Sequence, residues 1–391
     1  MSLKVGRGGD IPPFRVMDVI AAANAHDAAR GPGDPAVIRM EVGQPALGAP
    51  AGAVAAASHA LRSLHPLGYT EAFGLPSLRR RIAAHYGAWY DLDLPPERIA
   101  VTTGASGAFP LAFLAAFDQG DRVAMAAPYY PPYVNILTAL GMRPVIVEAG
   151  AETRFQPTIA ALEALDPPID GLILASPCNP AGTMLHRDEL AAIAQWCHRH
   201  GVRLVSDEIY HGLQYDSPIA TAAEFSPSAI VVNSFSKYFS MTGWRVGWMV
   251  LPDDLRRPAE RLAQNMFISA PHIAQVAAEA AFDCTEELEA RRAGYLRSRD
   301  LLLDALPRAG FARLSPAEGA FYLYADISDR DEESPAFCAR LLRELSIAAT
   351  PGVDFDARRG QHFVRFSYCA GEAQIANAAH RLLAWRDQVR G

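Results

Sequence analysis

Between residues 99 and 251 the chain alternates short apolar runs with longer amphipathic ones, and no other feature restricts its fold as much. Runs at 99–103, 122–126, 144–148, 171–175 and 203–206 have the length and β-branched content of buried strands. Helical periodicity separates them, running to 117 after the first and then over 132–140 and 188–200. Two more strand-like runs follow at 229–233 and 245–251. Such alternation predicts an α/β fold with a mostly parallel, helix-covered sheet, and in such sheets ligands sit beyond the carboxyl ends of the strands.

The flanks read differently. Residues 1–48 contain a helix over 16–29 and a strand over 37–42 that stops at Gly43-Gln44-Pro45, the pattern of an arm packing on something else. A helix over 50–64, a turn at 66–70 and a helix over 75–89 lead into the sheet. Beyond 253 come long helices, the longest over 286–306. A hairpin-like stretch at 312–327, a helix over 335–345, a strand over 363–367 and a terminal helix complete the chain. The expected division is an arm at 1–48, a large domain at 49–290 and a smaller α/β domain at 291–391, with the arm on the small domain.

A net charge of -7 argues against nucleic acid and anionic membrane as partners. The longest apolar run, 108–117, is too short for a membrane span, and the first thirty residues lack the apolar core of a secretory signal. The 5 cysteines are odd in number and have no C-x-x-C spacing, which predicts reduced thiols in a cytoplasmic protein. His198-Arg199-His200 reads as a solvated helix end, so no metal site is expected.

Lysine plus arginine number 36, yet lysine occurs only at Lys4 and Lys237. Among side chains only lysine forms a Schiff base with a carbonyl cofactor, so covalent amine chemistry here requires Lys237. Around it, Ser234, Ser236 and Arg245 offer two hydroxyls and a guanidinium able to hold a phosphate dianion. Ser234-Phe235-Ser236-Lys237 also fits the S-x-x-K pattern of serine acyl transfer, but that chemistry needs a later K-T-G and no later lysine exists. A solvated lysine on a polar loop is the bland alternative.

Gly104-Ala105-Ser106-Gly107 joins a strand to a helix start, where free N–H groups favour an anion; an ordinary helix start would look the same. Asp207 ends a strand among apolar residues, a costly position unless it meets a cation such as a protonated pyridine nitrogen. Tyr210 can offer a phenol from the same side, and Asn179, in Ser176-Pro177-Cys178-Asn179-Pro180, an amide to an aromatic oxygen. Each could equally be a cap or turn residue. Arg365, inside the apolar strand Phe363-Val364-Arg365-Phe366-Ser367, must find an anion, either a structural carboxylate or that of a substrate.

Taken together, these residues resemble the class I aminotransferases of the aspartate aminotransferase kind, fold-type I enzymes that use pyridoxal 5'-phosphate. The likeness runs from Gly43-Gln44-Pro45 to Arg365. It is carried by Ser234-x-Ser236-Lys237 with Thr242-Gly243-Trp244-Arg245-Val246-Gly247, Asn179-Pro180, Asp207-Glu208-x-Tyr210 and Phe363-Val364-Arg365. The resemblance implies that Lys237 holds the cofactor as an aldimine, that Asp207 pairs with the pyridine nitrogen, and that Asn179 and Tyr210 contact the ring oxygen. It further implies a phosphate held by Ala105, Ser106, Ser234, Ser236 and Arg245, with Tyr69 reaching the phosphate of a neighbouring subunit in a homodimer with shared sites. Arg365 would bind the substrate α-carboxylate and Gly43 would touch it through backbone. Tyr130 stands where many relatives place a tryptophan or phenylalanine stacked on the ring, so the substrate-side surface differs.

The expected activity is amino-group transfer from an L-amino acid to a 2-oxo acid. A pyridoxal-phosphate lyase or synthase uses the same constellation and is the alternative. A regulatory cofactor-binding module and a serine hydrolase acting through Ser234 are further from the residues. Which amino acid is used is not legible, because one arginine licenses one carboxylate.

Overall fold

The structure, a computed structural model, describes residues 3–63 and 66–390. A short strand of the arm, β1 (Ile38–Arg39), precedes seven strands that form the central sheet. These are β2 (Ile99–Thr102), β3 (Arg122–Ala127), β4 (Arg143–Glu148), β5 (Gly171–Ala175), β6 (Arg203–Asp207), β7 (Ile230–Ser234) and β8 (Gly247–Val250). They lie in the order β2-β8-β7-β6-β5-β3-β4. Every pairing from β7 to β4 is parallel, whereas β8 runs antiparallel to both β7 and β2. No α-helix lies between β7 and β8, so the chain has no crossover and must return in the opposite sense.

Burial follows from composition. All residues of β2, β7 and β8 are buried, as their unbroken apolar runs require. The helix Ala105–Ala116, apolar on nearly every side, buries Ala108, Phe109, Leu111, Ala112 and Phe113. Trp248 and Tyr86 are wholly buried on the opposite face, where Trp248 Nε1 donates to Tyr86 Oη at 3.2 Å and leaves neither polar tip unpaired.

A second, antiparallel sheet has the order β12-β13-β10-β9, built from β9 (Arg313–Leu314), β10 (Tyr322–Asp326), β12 (Thr350–Pro351) and β13 (Phe363–Ser367). The hairpin reading of 312–327 corresponds to β9 and β10, which pair Ala325 with Leu314 and Asp326 with Arg313. The arm joins this half of the molecule, since β1 pairs in parallel with β11 (Ile347–Ala348).

Several expectations shift in detail. The strand read at 37–42 is ladder-paired only at Ile38 and Arg39. The strand read at 245–251 starts at Gly247, because Arg245 adopts a left-handed backbone (φ 53°) that interrupts it. The helix read over 50–64 is Ala51–Arg62, and Leu64 lies outside the described residues. The helix Thr285–Arg308 runs unbroken through position 290/291, where the sequence placed a domain boundary. Among the described residues no helix is long and apolar enough to cross a membrane.

Candidate active site

The carboxyl ends of β2, β5, β6 and β7 converge on one cavity of about 270 Å³, and the second sheet and the arm close it. Of the residues singled out in the sequence, Gly43, Ala105, Ser106, Tyr130, Asn179, Asp207, Tyr210, Ser236, Lys237, Arg245 and Arg365 line it. Ser234 and Tyr69 do not.

Asp207 ends β6 and is 4 % exposed. One carboxylate oxygen accepts from the hydroxyl of Tyr133 and the other from the amide of Ile209 at 3.1 Å. Burial pushes its pKa up to about 6, against the opposing pull of these hydrogen bonds and of Lys237. Asp207 therefore reaches neutral pH ionised, with a phenol and an amide as partners and no cation in direct contact.

Lys237 follows β7 by three residues and donates from Nζ to the carbonyl of Gly43 at 2.7 Å. Burial brings its pKa down to about 8, helped by Arg365 and Arg245 and resisted by Cys369 and Asp207. An amine in that range holds an appreciable neutral fraction near physiological pH, as a nucleophile or general base must. The S-x-x-K alternative finds no geometry: Ser234 Oγ bonds Ser236 Oγ at 2.9 Å and the Val246 carbonyl at 3.2 Å, not Lys237.

The anion cradle lies at the amino terminus of Ala105–Ala116. The amides of Ala105 and Ser106 meet no acceptor among the described residues, as first-turn amides do not. Arg245 spans the cradle, donating to Ser106 Oγ at 3.4 Å and to the Thr242 carbonyl at 2.8 Å. Gly104 (φ 72°) permits this, since a Cβ there would lie 2.6 Å from the Arg245 guanidinium. Ser236 faces the same space, and Ser234 reaches it only through Ser236.

Arg365, on β13 and 3 % exposed, has no carboxylate partner. It donates to Asn179 Oδ1 at 2.7 Å, Thr350 Oγ1 at 3.1 Å and the Glu41 carbonyl, all neutral oxygens, and its Nε is unpaired. Holding Oδ1 in this way turns the Asn179 amide nitrogen away from Arg365. Tyr210 and Tyr322 share a hydrogen bond at 2.8 Å.

The sequence reading missed Tyr133, which holds Asp207, and Tyr322 on β10. It also missed Phe14, Val16, Met17 and Ile20 of the arm, which form an apolar wall of the cavity. Tyr133 carried a signal, standing in the aromatic run Pro128-Tyr129-Tyr130-Pro131-Pro132-Tyr133. The arm carried none, because only tertiary packing brings it over the sheet. Tyr69 is 82 % exposed and does not line this cavity.

Residues 35–382 match the family model for aminotransferase class I and II. The chain belongs to that family and is a pyridoxal 5'-phosphate-dependent transaminase of fold type I. Among its relatives, the valine–pyruvate aminotransferase of Mycobacterium tuberculosis is 47% identical over 389 residues, 98% of this chain and 99% of that protein. The crystal structure of an aminotransferase from Mycobacterium tuberculosis matches with a TM-score of 0.96 at 47% identity, covering 99% of this chain and 100% of that one. Aspartate aminotransferase from Thermus thermophilus with maleate matches with a TM-score of 0.91 at 29% identity, covering 98% and 100%. Amino-group transfer is therefore the reaction, rather than elimination or regulation.

The residues present fit the coenzyme. A buried carboxylate without a contacting cation, a buried-stem lysine amine and a helix terminus with free amides beside a guanidinium correspond to its ring nitrogen, its aldehyde and its phosphate.

Proposed function

We propose that this enzyme moves the amino group between an aliphatic L-amino acid of the valine type and a small 2-oxo acid such as pyruvate. The observation that carries this reading is Arg365, a buried guanidinium without a counter-ion, facing a cavity whose arm-side wall is Phe14, Val16, Met17 and Ile20. Arg365 binds the α-carboxylate by a bidentate fork and Gly43 contacts it through backbone. The cavity's other cations are Lys237 and Arg245, and both are committed to the coenzyme. A dicarboxylic substrate would need a further cation, and the wall supplies methyl and phenyl groups instead. The name of the 47% identical relative, a valine–pyruvate aminotransferase, supports the same substrates.

Pyridoxal 5'-phosphate supplies an aldehyde that condenses with amines and a ring that takes up the electrons released when a Cα–H bond breaks. Lys237 would hold it through its amine and, when free, would carry the proton taken from the substrate Cα. Asp207 keeps the pyridine nitrogen protonated, with Tyr133 holding the carboxylate in place. Asn179 and Tyr210 would donate to the ring oxygen, and Tyr130 would offer an aromatic face to the ring. Ala105, Ser106, Ser236 and Arg245 hold the phosphate, backed by Ser234.

The exposed Tyr69 supports a homodimer in which it reaches the partner's phosphate. Five unpaired cysteines support a cytoplasmic setting, and the β1–β11 pairing supports an arm at 1–48 that packs on a small domain at 291–391 beside a large domain at 49–290. Screening amino acids for conversion of the yellow holoenzyme to its amine form tests the substrate assignment. Valine, isoleucine or alanine should convert it at low concentration. Aspartate or glutamate converting it ten times faster than valine would overturn the reading.

A further inference from the structure

Tyr322 is absorbed by none of these roles. Its hydroxyl lies in the cavity wall, and its partner is the phenol of Tyr210 at 2.8 Å. On its other side it presses against Gly43, where a Cβ would fall 1.7 Å from Oη. A phenol has one proton to give. If Tyr210 gave its proton to Tyr322, the proton left to point into the cavity would be that of Tyr322, and Tyr210 would have none to offer the ring oxygen. If Tyr322 gives its proton to Tyr210, both are satisfied, and the Tyr210 proton is free to point into the cavity. The Arg365 guanidinium lies 4.5 Å from the centre of the Tyr322 ring, nearer than the Lys237 amine lies to that of Tyr210 at 5.7 Å, and the closer, permanent cation makes Tyr322 the better donor and favours the second arrangement.

We infer that Tyr322 is a positioning residue that fixes Tyr210 as a donor to the coenzyme's ring oxygen, by giving its own proton to the Tyr210 hydroxyl oxygen. The inference rests on the reading that Tyr210 contacts that oxygen. It follows that the hydroxyl of Tyr322, and not its ring, tunes the acidity of the bound coenzyme. A donor to the ring oxygen stabilises the form that has lost its proton, so removing the donor raises the pH midpoint of the visible absorbance.

The test is a pH titration of the visible spectrum of the holoenzyme for Tyr322→Phe, Tyr210→Phe and the double variant. Tyr322→Phe keeps the ring beneath Arg365 and removes only the hydroxyl, so packing is preserved. Tyr210→Phe should raise the midpoint by about 1 to 2 pH units, the worth of one hydrogen bond to a charged oxygen. Tyr322→Phe should raise it by a fraction of that, ~0.3 unit, the share that one phenol lends another in a chain. In the Tyr210→Phe background Tyr322→Phe should add nothing. A downward shift for Tyr322→Phe would mean that the proton runs the other way, and an unchanged midpoint would mean that the hydroxyl is idle; either overturns the inference while leaving Tyr210 in its role. An unchanged midpoint for Tyr210→Phe would overturn both.

Discussion

Replacing Asp207 by asparagine should make the coenzyme-free protein more stable while nearly abolishing its activity. A carboxyl whose pKa is raised by folding destabilises the native state above that pKa and has no such effect below its unfolded value. Folding moves Asp207 from 3.8 to about 6, which costs about 3 kcal/mol at pH 7. At pH 5, where much of the native carboxyl is already protonated, the cost falls to about 2 kcal/mol. Asparagine keeps an oxygen for Tyr133 or Ile209 and does not titrate. Whatever its own fit, the gap between the two proteins should therefore narrow by about 1 kcal/mol between pH 7 and pH 5. Urea unfolding of both apoproteins, followed by tryptophan fluorescence, measures it. A gap that stays constant or widens as the pH falls would refute the argument that the charge of Asp207 is held against burial. Turnover checks the other half, because an amide cannot keep the ring nitrogen protonated. A variant within about threefold of the parent, under 1 kcal/mol of barrier, would remove Asp207 from the mechanism.

Arg365→Ala removes a bidentate partner for the carboxylate and should lower kcat/KM for valine by roughly 100- to 1000-fold in steady-state assays, with coenzyme colour retained. Uptake of pyridoxal 5'-phosphate by the apoenzyme should accelerate with pH to a plateau above a midpoint near 8, because the protonated Lys237 amine has no lone pair; stopped-flow absorbance reads this. Lys237→Ala should leave no borohydride-fixed mass on its peptide. If Tyr69 completes the partner's site, mixing inactive Tyr69→Ala and Lys237→Ala subunits should restore about a quarter of parental activity, since half the dimers are hybrids with one intact site.

Much of this enzyme could be read before its shape was known, for definable reasons. Six of the seven strands of the large sheet were legible because each is a short, largely buried apolar run, and the edge strand β4 because Val145-Ile146-Val147 is β-branched although only Val147 is buried. The strands β11 and β12 were not, since two residues carry no periodicity, and β11 finds its partner only in an arm some three hundred positions away, whereas β12 pairs with β13. Lys237, Asp207 and Arg365 stood out because a lone lysine, a carboxylate and a guanidinium inside apolar strands are each expensive without a partner.

The amino-acid sequence by itself determined the chemistry available: Lys237 as an amine able to bond an aldehyde, and Asp207 and Arg365 as charged groups set in apolar strands. Tertiary structure alone decided which neighbours hold those groups. Tyr133 on Asp207, Tyr322 on Tyr210, Gly43 under Lys237 and the apolar arm over the cavity come from distant parts of the chain. Their contacts arise from packing and shape, which no local pattern of residues encodes.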